Sequence, residues 1–222
     1  MSDYTEQRLI DTLVIDIETI PSGEPLSIEE LKEQAPKNYK NDDAKEKWAQ
    51  ANLDIEYKKR ALNSLKGRVL CIGYKWNDNP VEVIPYHEDE KVVLESFQNV
   101  LKAFENKLYA AAIVGHNYRK FDNLWLVQRA YRYQLKNIIR LLPTDKFDKR
   151  LVDTNDMFNL GVYGEYTSLN DMCEFLGIPT SKDDIDGSEV YDVFMKGELE
   201  RIYTYCGKDV DRTYDCYNRM LP

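Results

Sequence analysis

Five side chains, spread over three short acidic segments, could do chemistry together. Asp16 and Glu18 end an apolar run near the start of the chain. Asp122 closes the segment NYRKFD at residues 117–122, and Tyr205 and Asp209 belong to YCGKD near the end. Four carboxylates and a phenol suit metal-assisted cleavage of a phosphodiester: hard oxygen ligands for divalent cations, and a hydroxyl beside the attacking water. Asp16 and Glu18 are two apart, so on a strand they share a face. Two same-face carboxylates at the end of a buried strand repel each other unless a cation lies between them. Tyr205 and Asp209 are i and i+4, one turn apart on one face of a helix. Each segment alone also has a plain structural reading. D-x-E can mark a strand leaving the core, Asp122 can favour a helix's first turn, and Tyr–Asp can be a surface pair. The apolar stripe Ile202, Cys206 and Val210 weakens the last of these, because it sets Tyr205 and Asp209 at the border of the core.

The elements that must position these residues follow from hydrophobic periodicity. Residues 9–17 (LIDTLVIDI) read as a buried strand, broken at 18–23 (ETIPSG). Residues 24–66 are charged and poor in β-branched residues. They read as a helical insertion, with Ala44, Trp48, Ala51, Ile55, Leu62 and Leu65 as its amphipathic stripe. Residues 68–76 and 80–86 read as adjacent strands joined by a tight turn at 77–79. A helix is expected over 92–108, then a short strand over 110–115 that delivers the middle segment. A second helix follows over 121–133, with Phe121, Leu124, Trp125 and residues 128–131 along one side. A short strand at 151–153 and helices over 168–176 and 199–220 complete the order. It predicts an α/β fold with a mixed sheet flanked by helices. We expect a single domain over 1–222, with the helical insertion at 24–66 after the first strand.

Composition narrows the class. With 43% hydrophobic residues the chain can pack an ordinary core, so wholesale disorder is not expected. A net charge of −9 argues against coating nucleic acid by bulk electrostatics, yet leaves room for a local grip on one strand end. No apolar run reaches membrane-span length, and the first residues lack the pattern of a signal peptide. Cys71, Cys173, Cys206 and Cys216 form no CxxC pair. Reduced thiols in a cytoplasmic protein, or in a host cytoplasm if phage-encoded, are the expectation. Only His87 and His116 are present, which argues against a zinc hydrolase.

The three acidic segments in this order resemble the exonuclease motifs of DEDD-type 3′–5′ exonucleases, in the subgroup with Tyr in the third motif. Within it the chain is similar to predicted exonucleases related to the proofreading domain of family B DNA polymerases. The resemblance rests on VIDIETIP, GHNYRKFD, DGSEV and IYTYCGKDVDRT. It implies a ribonuclease H-like fold and two divalent cations, Mg²⁺ or Mn²⁺. Asp16 would bridge both ions, Glu18 and Asp209 would complete the site that activates water, and Asp122 would support the second ion. Tyr205 would orient the attacking water and help deprotonate it. Thr19, Ile20 and Pro21 would line the pocket for the terminal nucleotide, Asn117 would contact the strand, and Phe121 would seat the second motif beside it. The implied substrate is a single-stranded 3′ end, DNA ahead of RNA, with nucleoside 5′-monophosphates as products and replication or repair proteins as partners.

Other residues stay open between two readings. Arg119, Lys120, Arg129, Arg132, Lys136 and Arg140 read as phosphate contacts or, for the last four, as a solvated helix face. Tyr163 and Tyr166 in GVYGEYTS read as base-stacking aromatics or as packing residues. His116 reads as structural or as near the site, Asp153 as near the site or as a helix cap, and Asp186 as an Asp-Gly turn. As whole functions, an exoribonuclease and a non-catalytic nucleic-acid or polymerase-binding module are the alternatives. The complete carboxylate set counts against the second.

Overall fold

The computed structural model describes residues 11–180 and 185–222. Leu9 and Ile10 of the expected first strand, and the N-terminal stretch read for a signal peptide, lie outside the described residues. Five strands form one mixed sheet in the order β3-β2-β1-β4-β5. They are β1 (Asp11–Pro21), β2 (Gly67–Trp76), β3 (Glu82–Ile84), β4 (Ala111–Gly115) and β5 (Leu151–Asp153). β1 lies parallel to β4 with Leu13 beside Ile113, β4 is parallel to β5, and β2 is antiparallel to β3.

The helices among the described residues are α1 (Ile28–Glu33), α2 (Asp42–Lys58), α3 (Glu90–Ala103), α4 (Glu105–Leu108), α5 (Asp122–Tyr133) and α6 (Lys136–Leu141). They continue with α7 (Thr154–Phe158), α8 (Leu169–Leu176), α9 (Val190–Met195) and α10 (Leu199–Met220). None is long and apolar enough to cross a membrane.

The chain divides into two compact units, residues 19–68 and the remainder. In the smaller unit Ser27 closes a capping box on α1, Asn41 caps α2, and Lys32 joins Asp42 across 2.8 Å. Arg60 donates to the carbonyls of Ser22 and Glu24, and the Tyr57 hydroxyl donates to Gly23. The expected amphipathic stripe does not describe this packing. Ala51, Ile55, Leu62 and Leu65 are exposed, Ala49 is buried, and the α-helix stops at Lys58. A 3₁₀ turn over Lys59–Leu62 breaks the register on which the stripe depended.

In the larger unit the alternation along β1 sorts its side chains. Leu13, Ile15 and Ile17 enter the main core with Phe97, Trp125 and Leu126, on the side of α3 and α5. Val14 packs on the other face with Ala112, Val114, Val210 and Tyr217, beneath α10. Asp16 and Glu18 continue the Val14 row, so both carboxylates turn toward α10. α10 answers with the buried stripe Ile202, Cys206, Val210, Thr213 and Tyr217.

Some boundaries differ from expectation. β1 runs through Glu18 to Pro21, because Thr19 and Ile20 suit a strand and the turn comes only at Ser22–Gly23. β3 keeps three residues of the expected seven, bounded by Pro80 and Pro85, which cannot donate to a ladder. The expected helix over 92–108 divides at Phe104 into α3 and α4. On α5 the buried side is Asp122, Asn123, Trp125, Leu126, Arg129 and Ala130, while Leu124 and Tyr131 are exposed. The sequence reading had rotated that helix by about one position.

Candidate active site

The middle segment is a tight loop held by its own backbone. Asn117 takes a left-handed conformation, with φ 53°, and its carbonyl accepts from the amides of Lys120 and Phe121. The fully buried Tyr118 ring lies against Gly115, so closely that a Cβ there would sit 2.5 Å from it. Phe121 packs half-buried against the core, 5.8 Å from Trp125, and α5 begins at Asp122. The Asp122 carboxylate is 2% exposed, and its Oδ1 accepts from the Ile17 amide at 2.9 Å. A carboxylate on α5 is thereby pinned to the stretch of β1 between Asp16 and Glu18.

These acids act on one another. Burial, then the charges of Asp122 and Asp209, hold the Asp16 carboxyl well above its ordinary range. Burial and then Asp16 raise Glu18 in the same way, and burial pushes Asp122 up to about 8. Asp16 Oδ2 is buried with no hydrogen-bond partner among the described residues. A buried, unpartnered carboxylate oxygen beside other carboxylates is costly unless a cation neutralises it. The donor set is oxygen-rich and fits a hard divalent ion.

On α10 the Tyr205 hydroxyl is hydrogen-bonded to Asp209. Burial, followed by the charges of Asp209, Glu18 and Asp16, keeps the phenol above its usual value. Four expected carboxylates and the tyrosine are therefore brought within electrostatic reach of one another.

Two neighbours escaped sequence reasoning. Cys206 Sγ lies within 4.8 Å of ligand atoms of Asp16 and Glu18, and it donates to the Asp16 carbonyl at 3.8 Å. A hydrogen bond with Cys71, then burial, hold this thiol well above its ordinary value. Arg212 is 5% exposed and donates to Asp209 Oδ1 at 3.2 Å. Its i+3 spacing from Asp209 was the available signal.

The remaining candidates divide. Thr19 and Ile20 are buried, and the Thr19 hydroxyl donates to the Ala61 carbonyl at 2.6 Å; Pro21 ends β1. Asp153 is a cap and a tie: Oδ1 accepts from the Asn155 amide at the start of α7, and Oδ2 from the Arg119 amide in the middle segment. Asp186 accepts from the Ser188 amide and hydroxyl, as a turn residue does. Gly187 beside it lies close to Tyr205, with a Cβ there falling 3.9 Å from the hydroxyl. His116 is structural: Nε2 donates to the Thr167 carbonyl and Nδ1 accepts from the Thr154 hydroxyl, each at 3.0 Å.

Arg129 is neither a phosphate contact nor on a solvated face. It is buried against Glu90, whose carboxylate also accepts from Tyr133 and from the Val69 amide. Arg140 pairs with Glu105 and the Tyr109 hydroxyl.

Comparison with known proteins bears on the family and the fold. The family described as predicted 3′–5′ exonuclease related to the exonuclease domain of PolB matches residues 69–221, a segment that begins after Asp16 and Glu18. An uncharacterised protein of Methanocaldococcus jannaschii is 31% identical over 183 residues, covering 78% of this chain and 96% of that one. A DNA polymerase of Archaeoglobus fulgidus is 26% identical over 166 residues, 71% of this chain and 20% of the polymerase. The family B DNA polymerase of Pyrobaculum calidifontis superposes with a TM-score of 0.60 at 17% identity, over 96% of this chain and 24% of its own. That likeness speaks for the fold, and with the mixed five-stranded sheet it gives the ribonuclease H-like α/β class. By its family match and its archaeal relative, this chain belongs to the predicted 3′–5′ exonucleases related to the exonuclease domain of PolB.

Proposed function

We propose that the chain hydrolyses single-stranded DNA from the 3′ end, releasing nucleoside 5′-monophosphates one at a time. In this reading residues 1–222 act as one exonuclease domain with 24–66 inserted. The observation that carries it is the buried, unpartnered Oδ2 of Asp16 among carboxylates that raise one another's affinity for protons. Asp16, Glu18, Asp122 and Asp209 would hold two divalent cations, Mg²⁺ or Mn²⁺, which supply Lewis-acid stabilisation of the scissile phosphate when bound.

The protein's own groups do the rest. Asp122 is held in place through the Ile17 amide, which donates to its Oδ1. Asp209 accepts from Tyr205, which fixes the phenol one turn away, where it orients the water that attacks phosphorus. Asn117 and Phe121 form the rim beside Asp122 and contact the strand. Thr19, Ile20 and Pro21, which directly follow Glu18 in the chain, contact the terminal nucleotide.

The test follows a 5′-labelled oligonucleotide with Mn²⁺ present, using wild type and Asp16→Asn. Turnover in the variant is expected to fall by at least about a hundredfold, the scale of losing one charge-stabilising group, with an unchanged circular dichroism spectrum. Shortening that persists in chelator, or equal rates in the two proteins, would overturn the reading. Matched DNA and RNA strands in the same assay establish the preferred sugar, because only an RNA-selective pocket uses the 2′-hydroxyl.

A further inference from the structure

The loop after α7 carries exposed large apolar side chains. Tyr163 is fully exposed at 102% relative accessibility, Leu160 is 88% and Tyr166 is 60% exposed. The loop is nonetheless built rather than slack. Leu160, Gly161 and Gly164 all take left-handed backbone conformations, with φ of 54°, 67° and 88°. The Gly161 amide donates to Asp156, the Val162 amide to Asn159, and the Thr167 amide to the Asn155 side chain at 2.9 Å. Glycine takes such conformations freely, so the steric cost falls on Leu160 alone.

The position of the loop says what it meets. The Tyr166 ring lies edge-on to His116, centroids 6.0 Å apart, and His116 directly precedes the Asn117 turn that delivers Asp122. Asp153, which ties that same segment through the Arg119 amide, acts electrostatically on both Tyr166 and Asp122. The segment GVYGEYTS has no Lys or Arg and contains Glu165, and the chain as a whole has a net charge of −9. Any grip on a strand here would therefore have to come from the exposed aromatic rings.

Resting on the exonuclease reading above, we infer that loop 160–166 is a stacking platform for single-stranded nucleic acid. Tyr163 would receive a base of the strand a few nucleotides from the end being cut, and Tyr166 would line the path between it and the Asn117 turn. Stacking on an aromatic face is tolerant of sequence, because every base has a π-face.

The test uses anisotropy of a 5′-labelled thymidine 12-mer, measured in chelator so that no bond is cut. Tyr163→Ala is expected to weaken binding by at least about fivefold, the lower end of what one lost stacking contact gives. Tyr163→Trp is expected to keep the affinity, and its added emission is expected to be quenched by the 12-mer but not by an abasic strand of the same length. Equal binding by wild type and Tyr163→Ala, no binding of the 12-mer by wild type, or equal quenching by the abasic strand would each overturn the inference. Wild-type hydrolysis of the p-nitrophenyl ester of thymidine 5′-monophosphate is followed in parallel. A protein that binds the 12-mer through Tyr163 but cleaves neither substrate loses the exonuclease reading and keeps the platform. One that cleaves both, with binding indifferent to Tyr163, does the reverse.

Discussion

His116 shows how a residue next to the Asn117 turn serves the fold. Burial pushes its imidazole down from the usual 6.5 to about 4, against the bond to the Thr167 carbonyl, which favours the protonated ring. The sign follows from proton binding. Below pH 6.5 the unfolded chain takes up a proton that the folded ring refuses, so the contribution to stability is complete above 6.5 and is lost as pH falls toward 4. The full effect at pH 4 is on the order of 3 kcal/mol. In urea unfolding, the stability difference between wild type and His116→Gln should therefore shrink steadily from pH 7 to pH 4. A difference independent of pH would show that the ring is protonated in the fold. The sequence offered His116 two roles; only the hydroxyl and carbonyl brought from residues 154 and 167 decide between them.

At the scale of elements, the distance between α10 and the sheet governs the site. A Cβ on Gly73 of β2 would lie 2.8 Å from both Cys206 Sγ and Val210 Cγ2. The helix that holds Tyr205 and Asp209 thus rests on a backbone with no side chain in between. Gly73→Ala should force α10 outward, lowering stability by about 1–3 kcal/mol, as overpacking does. It should also cut turnover by more than that loss implies, because Tyr205 and Asp209 would leave Asp16 and Glu18. Chemical denaturation read beside initial rates separates the two, and full activity in a destabilised variant would count against this role. The acids themselves were legible, since periods of two and 3.6 fix which side chains share a face. What the sequence did not disclose depends on contacts between distant segments: Gly73 under Cys206, Asp122 on the Ile17 amide, Thr19 on Ala61. Arg129 was legible in principle. It stands four after Trp125 and three after Leu126 on the buried side of α5, and the misjudged rotation of that helix hid it.

For the whole molecule, the proposed function makes stability depend on divalent ions through the acidic cluster. A ligand that binds only the folded state at about a hundred times its Kd adds roughly 2.7 kcal/mol. For a chain of this size that is roughly 5–10 °C in Tm. Millimolar Mn²⁺ should raise the Tm of wild type by this amount over chelator, and Asp16→Asn should lose most of the rise. An identical rise in both proteins would place the responsible ion elsewhere.

The outer strands of the described sheet have a separate consequence. β3 and β5 are each three residues long, and β3 reaches only Ile72 to Tyr74 of the longer β2. Beyond that reach the Val69 amide donates to the buried Glu90 carboxylate, itself neutralised by Arg129. A side chain thus stands where a further strand would otherwise bond. Edges this short and plugged give an incoming chain little backbone to pair with. Among the described residues, the sheet thus offers a second copy of the chain only short stretches of backbone on which to extend it.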